Sequence, residues 1–329
     1  MADLSTTYMG ITLKNPLIVA ASSISNYVDK VKRAEELGAG ALVIRSLFEE
    51  QIQHDEMTMA DYLERAANIS PEVHSSFFPP VESGGPREHL MWVEKTRRAV
   101  DIPIFASLNA VSPGAWTSYA KQLEETGVAG IEINYYVVAT DPEVPGSELE
   151  KTLFDIVAAV TSEVSIPVAV KLSPYYSSTP YVVSELEKRG AKAVVLFNRF
   201  LQPDIDIQDE SLVNNMVYST QFEMKVPLRW VALLYGRTEL DLALNTGVHT
   251  GRDIVKAILA GASVVQVASA LLENGLPYVS SMLMDMQSWM EEKDYESLDE
   301  FRGKVSQKNV EDAFGFERAQ YMQLLMSQQ

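Results

Sequence analysis

Cysteine is absent from this 329-residue chain. That excludes a disulfide, a thiolate-bound metal, an iron–sulfur cluster held by this chain and a thiol nucleophile. Positive charge is scarce: 27 Lys and Arg stand against 45 Asp and Glu, for a formal net charge of −18. Polyanions are held by surplus Lys and Arg, so neither nucleic acid nor an anionic membrane is an expected partner. Long apolar runs are missing too. Runs such as Pro16 to Ala21 and Ala193 to Phe197 fall far short of the roughly 20 residues that cross a bilayer. The opening residues include Asp3 and have neither a basic start nor an apolar signal core, so the expected location is the cytoplasm. His54-Asp55-Glu56 lacks metal-ligand spacing and reads as solvated loop, so no metal site is expected.

The chain has a strong alternation of pattern. With 47% hydrophobic residues it can bury a large core. Short β-branched runs alternate with longer amphipathic stretches, the signature of parallel strands joined by crossover helices. Eight runs qualify: Pro16 to Ser22, Ala41 to Ser46, Pro103 to Asn109, Gly130 to Tyr136, Pro167 to Leu172, Ala193 to Asn198, Leu240 to Thr246 and Val264 to Ala268. Helical patterns separate most of them and a last one, Pro277 to Met290, follows. The pattern predicts an α/β fold, a (β/α)8 TIM barrel spanning 1–329 as one domain, with a tail from 295. Two stretches exceed a minimal barrel, Leu47 to Gly85 after the second strand and Arg199 to Val226 after the sixth. They are expected to run over the active site. Glycines 38, 190 and 261 stand where helices must stop before the next strand.

In such a barrel the chemistry sits at the carboxyl ends of the strands. Those ends carry Ser22 and Ser23, Arg45 and Ser46, Ser107 and Asn109, Asn134, Lys171, Asn198, Thr246 and Gly247, and Ala268 and Ser269. Amides, hydroxyls and cations dominate, and no carboxylate pair is present, which argues against glycoside hydrolysis. Asn245 to Gly251 runs from the seventh strand straight into a helix, and small residues there let backbone amides approach an anion. Thr246, Gly247 and Val248, with Ala268 and Ser269, therefore form a candidate phosphate site. Lys171 ends the fifth strand behind three apolar residues, a burial that requires a negative partner. It could form a Schiff base in a sugar-phosphate barrel enzyme, or stand beside a flavin and stabilise its reduced anion.

These strand ends coincide with a family pattern. Gly-Ile-Thr-Leu-Lys-Asn-Pro-Leu-Ile-Val-Ala-Ala-Ser (10 to 22), Val-Lys-Leu-Ser-Pro-Tyr (170 to 175), Thr-Gly-Val-His-Thr-Gly-Arg-Asp (246 to 253) and Ala-Gly-Ala-Ser-Val-Val-Gln-Val-Ala-Ser-Ala-Leu (260 to 271) resemble segments of the dihydroorotate dehydrogenase family, class 1 in particular. The resemblance runs from Met9 to roughly Lys304 and implies a flavoprotein of the CH–CH oxidoreductase class with FMN as cofactor. It implies a flavin near Ala21, Ser22 and Lys171, Asn134 and Asn198 on the family's asparagine positions, and phosphate at 246–248 and 268–269. A small-molecule substrate, a role in pyrimidine biosynthesis, a homodimer and a redox partner protein are implied in the same way.

The departures are as specific. The family's loop after strand four reads Asn-x-Ser-Cys-Pro-Asn and carries the base; here it reads Asn134-Tyr135-Tyr136-Val137-Val138-Ala139, with Val137 at the base position and Ala139 at the substrate asparagine. Valine cannot take a proton. Arg45 stands where the family has lysine, which changes reach and hydrogen-bond geometry. Lys171 and Arg45 remain as electrostatic candidates, and Tyr135, Tyr136, Ser75, Ser76 and His74 as replacement bases. The expectation is a retained flavin site with altered or lost action on dihydroorotate; a dihydroorotate dehydrogenase with a replacement base is the alternative.

Overall fold

The computed structural model describes residues 2–48, 86–109, 113–135, 137–200, 202–213, 217–317 and 319–327. A hairpin comes first, β1 (Thr6–Tyr8) paired antiparallel with β2 (Ile11–Leu13). The barrel strands follow: β3 (Leu17–Val19), β4 (Ala41–Phe48), β5 (Ile104–Asn109), β6 (Gly130–Asn134), β7 (Val168–Leu172), β8 (Ala193–Leu196), β11 (Asp241–Asn245) and β12 (Val264–Val267). They close in the order β11-β12-β3-β4-β5-β6-β7-β8, with β8 returning to β11, and every pair is parallel. The predicted (β/α)8 barrel is the fold, and each of the eight predicted strands is present. Helices α1 (Val28–Glu36), α2 (Pro86–Arg98), α3 (Pro113–Glu125), α4 (Gly146–Glu163), α5 (Thr179–Lys188), α6 (Lys225–Leu234), α7 (Gly251–Ala260) and α9 (Tyr278–Glu292) occupy the predicted intervals, with the short α8 (Ser269–Asn274) after β12. Among the described residues no helix is long and apolar enough to cross a membrane.

Strand alternation sorts the apolar residues into two cores. Leu42, Ile44, Ile131, Ile133, Val168 and Val170 face outward into the layer shared with the helices. Their neighbours point inward, where Ala41, Val43, Phe105, Ala169, Ala193, Val195, Ala243 and Val264 fill the barrel. Four of these are alanines, and the space they leave is taken by Tyr8, Met9 and Leu13 of the hairpin. Tyr8 stacks edge-on against Phe105 at 5.7 Å, and Asp241 Oδ2 accepts the Met9 amide at 2.6 Å. The hairpin plugs the amino-terminal floor of the barrel.

The glycine stop after α7 carries a backbone requirement. Gly261 has φ +120°, and a Cβ there would lie 2.4 Å from the Tyr235 ring. The long excursion after β4 falls mostly outside the described residues. The one after β8 forms a small antiparallel pair, β9 (Asp204–Asp206) with β10 (Ser211–Val213), and a 3-10 turn (Gln221–Met224) leading into α6. The first predicted strand is shorter than expected. The chain leaves β3 into a 3-10 turn (Ser23–Asn26), whose Ile24 amide donates to the Ser22 hydroxyl.

Candidate active site at the carboxyl ends of the strands

Strand register brings the polar strand ends together. It sets Asn109 beside Asn134, and Asn134 beside Lys171. Asn198, two residues beyond β8, donates its side-chain amide to Asn134 Oδ1 at 2.8 Å. The two asparagines thus bracket the strand that carries Lys171. Lys171 is 5% exposed and ion-paired with Glu132 at 3.5 Å.

A cavity of about 180 Å³ opens at this mouth. Of the predicted residues, Ala21, Lys171, Asn198, Thr246, Gly247, Val248, Ala268 and Ser269 line it. Sequence reasoning missed Ala20, Arg199, Ser219, Asn245 and Gln266, which line it as well. Ser22, Arg45, Ser46, Ser107 and Asn134 lie off its wall. A second cavity of about 620 Å³ shares Asn198, Arg199 and Thr246 with it, and a third of about 580 Å³ meets the second at Tyr175, Phe200 and Gln202.

The phosphate-candidate turn is strained and tightly held. Thr246 has φ +79° and Gly247 φ +80°, a region a β-branched residue seldom enters. The Phe197 carbonyl accepts both the Asn245 side-chain amide at 2.6 Å and the Thr246 hydroxyl at 3.1 Å, which fixes the turn. A Cβ on Gly247 would stand 2.4 Å from the Met224 backbone nitrogen, so this glycine is also required by the 3-10 turn packed on it. The start of α7 is not open to an anion. Asp253 Oδ2 accepts the amides of His249 at 3.1 Å and Thr250 at 3.0 Å, in a capping box with Thr250. Burial alone would raise the Asp253 carboxyl, but bonds from Lys256, Gln221, His249 and Thr250 outweigh it and hold it below the usual range. The amides of Gly247 and Val248, one turn earlier, meet no acceptor among the described residues. Ser219 reaches in from the excursion after β8, its amide donating to the Ser269 hydroxyl at 3.1 Å.

On the β4 side a bulge decides the geometry. Register shifts between Ile44 and Leu47, so that Arg45 and Ser46 together oppose Ser107. The Ser46 and Ser107 hydroxyls meet at 2.8 Å in a buried pair, while the Arg45 amide is tied to the Ser25 hydroxyl at 2.9 Å. His89 of α2, 6% exposed, has Nε2 3.4 Å from the Arg45 carbonyl. A carbonyl only accepts, so Nε2 carries the proton. Burial pulls the His89 pKa down to about 4, the Arg45 carbonyl opposes that, and the Arg45 charge adds to it.

The loop after β6 lines the third cavity with Val137, Val138 and Ala139. None can accept a proton. Tyr135, a candidate replacement base, donates its hydroxyl to the Leu149 carbonyl of α4 at 3.3 Å, and burial raises its pKa. Tyr136, His74, Ser75, Ser76 and His54-Asp55-Glu56 lie outside the described residues. Among the described residues no His, Asp and Glu cluster could hold a metal.

The dihydroorotate dehydrogenase family model matches residues 3–290. The chain belongs to this family. It is 30% identical over 312 residues to the catalytic subunit of dihydroorotate dehydrogenase B (NAD(+)) of Thermoplasma volcanium, covering 92% of this chain and 98% of that protein. It is 26% identical over 319 residues to the putative dihydroorotate dehydrogenase A (fumarate) of Aeropyrum pernix, covering 92% and 97%. The corresponding catalytic subunit of Pyrococcus furiosus is 26% identical over 303 residues, covering 89% and 96%. The match to the dihydroorotate dehydrogenase family model includes both the Lys171 mouth and the substituted loop at 137–139.

Proposed function

We propose that this chain is an FMN-dependent oxidoreductase of the dihydroorotate dehydrogenase superfamily in which the flavin half of the site is kept and the base loop is replaced. The observation that carries this reading is the convergence of Lys171, the Asn134–Asn198 pair and the unspent amides of Gly247 and Val248 on one barrel mouth, opposite a loop of valine and alanine. The donor set suits FMN. Lys171, Asn134 and Asn198 would serve the ring, with the backbone at 246–248 and 268–269 serving the phosphate and the small Ala20 and Ala21 leaving room beside them. When bound, the flavin supplies a hydride acceptor. Lys171 stabilises negative charge that develops beside it. With Val137 at the family's base position, the described residues of that loop offer no proton acceptor for oxidation at a CH–CH bond, and the bond of Tyr135 to Leu149 keeps that phenol from taking the role. Dihydroorotate is therefore a poor substrate or not the substrate.

The names of the relatives support a partner subunit that carries electrons onward, and a chain without cysteine would depend on it for any iron–sulfur relay. A pair with a second copy is proposed too, with the exposed Ile205, Ile207 and Leu212 of the β9–β10 hairpin offering an apolar face. The work is placed in the cytoplasm. The deciding measurement is the anaerobic visible spectrum of the protein reconstituted with FMN, before and after dihydroorotate. Protein that takes up FMN and whose flavin band persists supports the reading. Rapid bleaching means that another residue acts as base, and failure to take up FMN overturns the flavin assignment.

A further inference from the structure

Lys171 is not held by the rim but from below. Its Nζ lies 3.5 Å from Glu132 Oε1 and 3.3 Å from Gln266 Oε1, and the Gln266 side-chain amide donates to Glu132 Oε2. The ring joins β6 and β7 to β12, which lies across the barrel in the closed strand order. Glu132 and Gln266 are each 2% exposed. Below them the Tyr8 hydroxyl is buried without a partner, its pKa pushed well up by burial, with the charges of Glu132 and Asp241 adding to the effect.

Such a ring is a poor way to fill space. A buried ion pair commonly stabilises no better than apolar side chains of the same volume, whereas a lone member of the pair is strongly destabilising. Inward positions close by are filled with Ala169, Val195 and Phe105, so this barrel can pack its axis without charge. The contacts also leave the lysine underused. Charge-assisted N–H···O bonds run at about 2.7–2.9 Å, and the ammonium has three donors. Among the described residues it makes one hydrogen bond, at 3.3 Å, and one longer ion pair. Lys171 and Gln266 line the mouth cavity, whereas Glu132 lies beneath its wall.

We infer that Glu132 and Gln266 are positioning residues: a clamp across the barrel that fixes the Lys171 ammonium at the cavity wall, with donors left for an electron-rich group of the bound cofactor. The identity of that cofactor rests on the FMN reading above. The clamp itself does not.

Two double-mutant cycles on E132Q and K171M test it. The first measures the FMN dissociation constant of the apoprotein by quenching of flavin fluorescence. E132Q is expected to weaken FMN about tenfold, the scale of one charge-assisted hydrogen bond, and to add nothing once Lys171 is methionine. The second measures urea midpoints without FMN. Each single variant is expected to lower the midpoint, and the double variant to recover part of the loss, because no lone charge then stays buried. Should E132Q not fold, Q266M keeps both charges, and weaker FMN binding is again expected. L13A, in the hairpin that plugs the floor, should lower the midpoint and leave FMN affinity unmoved. FMN affinity unchanged in E132Q, or an E132Q loss of the same size in the K171M background, overturns the positioning role. Additive urea midpoints overturn the clamp whatever becomes of the flavin reading. Wild-type protein that takes up no FMN while the midpoints stay coupled overturns the flavin reading and leaves the clamp standing.

Discussion

The floor and the mouth of this barrel are built from the same strands and solve the same packing problem in opposite ways. At the floor, inward alanines on β4, β7, β8 and β11 make room for Tyr8, Met9 and Phe105, and the chain closes its own end with a hairpin. At the mouth the inward positions carry Ser107, Glu132, Lys171, Asn245 and Gln266, and donors remain without acceptors. Apolar burial at the floor stabilises the fold directly, at roughly 25 cal/mol per Å². Buried polar groups at the mouth recover little of their desolvation, and under the proposed function they serve a ligand instead. One end is finished by the chain, and the other is proposed to be completed by what binds there.

The sharpest way to probe that contrast is to change each end separately. V137C together with A139N restores a proton acceptor and an amide to the loop after β6. Its rate of flavin bleaching by dihydroorotate is expected to rise by about 10²-fold or more, with the urea midpoint barely moved. No gain in rate would mean that the loop is not what limits the reaction. At the floor, F105A should cost about 3–5 kcal/mol in urea unfolding while FMN affinity is retained. Comparable losses of both would break the comparison, since floor and mouth would then act as one unit.

His89, beside Arg45 at the carboxyl end of β4, offers a pH test. Its folded pKa of about 4 is below the unfolded value near 6.5, so between these pH values the unfolded chain takes up a proton that the folded chain refuses. Stability is therefore full above about pH 6.5 and is lost as pH falls toward 4, by up to roughly 3 kcal/mol for this group. H89Q keeps a donor for the Arg45 carbonyl and should flatten that part of the profile. An unchanged slope between pH 6.5 and 4.5 would show that His89 is not buried neutral. G247A is expected to cost about 1–2 kcal/mol for the left-handed backbone and more for displacing the 3-10 turn, since a Cβ would stand 2.4 Å from the Met224 backbone nitrogen. Its FMN affinity should fall as well, and a variant that loses stability alone would reduce Gly247 to a packing residue.

Much of this was legible before the structure. Strand runs and helix stops follow from local pattern, which is why Ala41 to Ser46 and Gly130 to Tyr136 predict β4 and β6 within two residues at each end. The hairpin was not read, because three-residue strands carry almost no periodic signal and their partner is the interior of the barrel. Nor was the bulge at Arg45 and Ser46, which needs the register of a neighbouring strand 60 residues or so away. Asp253 closes the segment 246–253 that resembles the family, yet it caps α7 itself. The spacing from Thr250 to Asp253 is a capping-box signal that could have revealed this. Glu132 could have been found by alternation: two residues before Asn134 on the same strand, it must point inward as well.

Hydrophobic alternation, glycine positions and the absence of cysteine by themselves determined the barrel and the thiol chemistry it cannot use. These depend on side-chain period and residue type, which are local. Only tertiary structure decided which strand ends share a cavity, that Tyr135 turns its hydroxyl to Leu149, and that Lys171 answers to Glu132 and to Gln266, 95 residues away. Closure of the barrel brings those groups within bonding distance, and no local pattern encodes a distance across it.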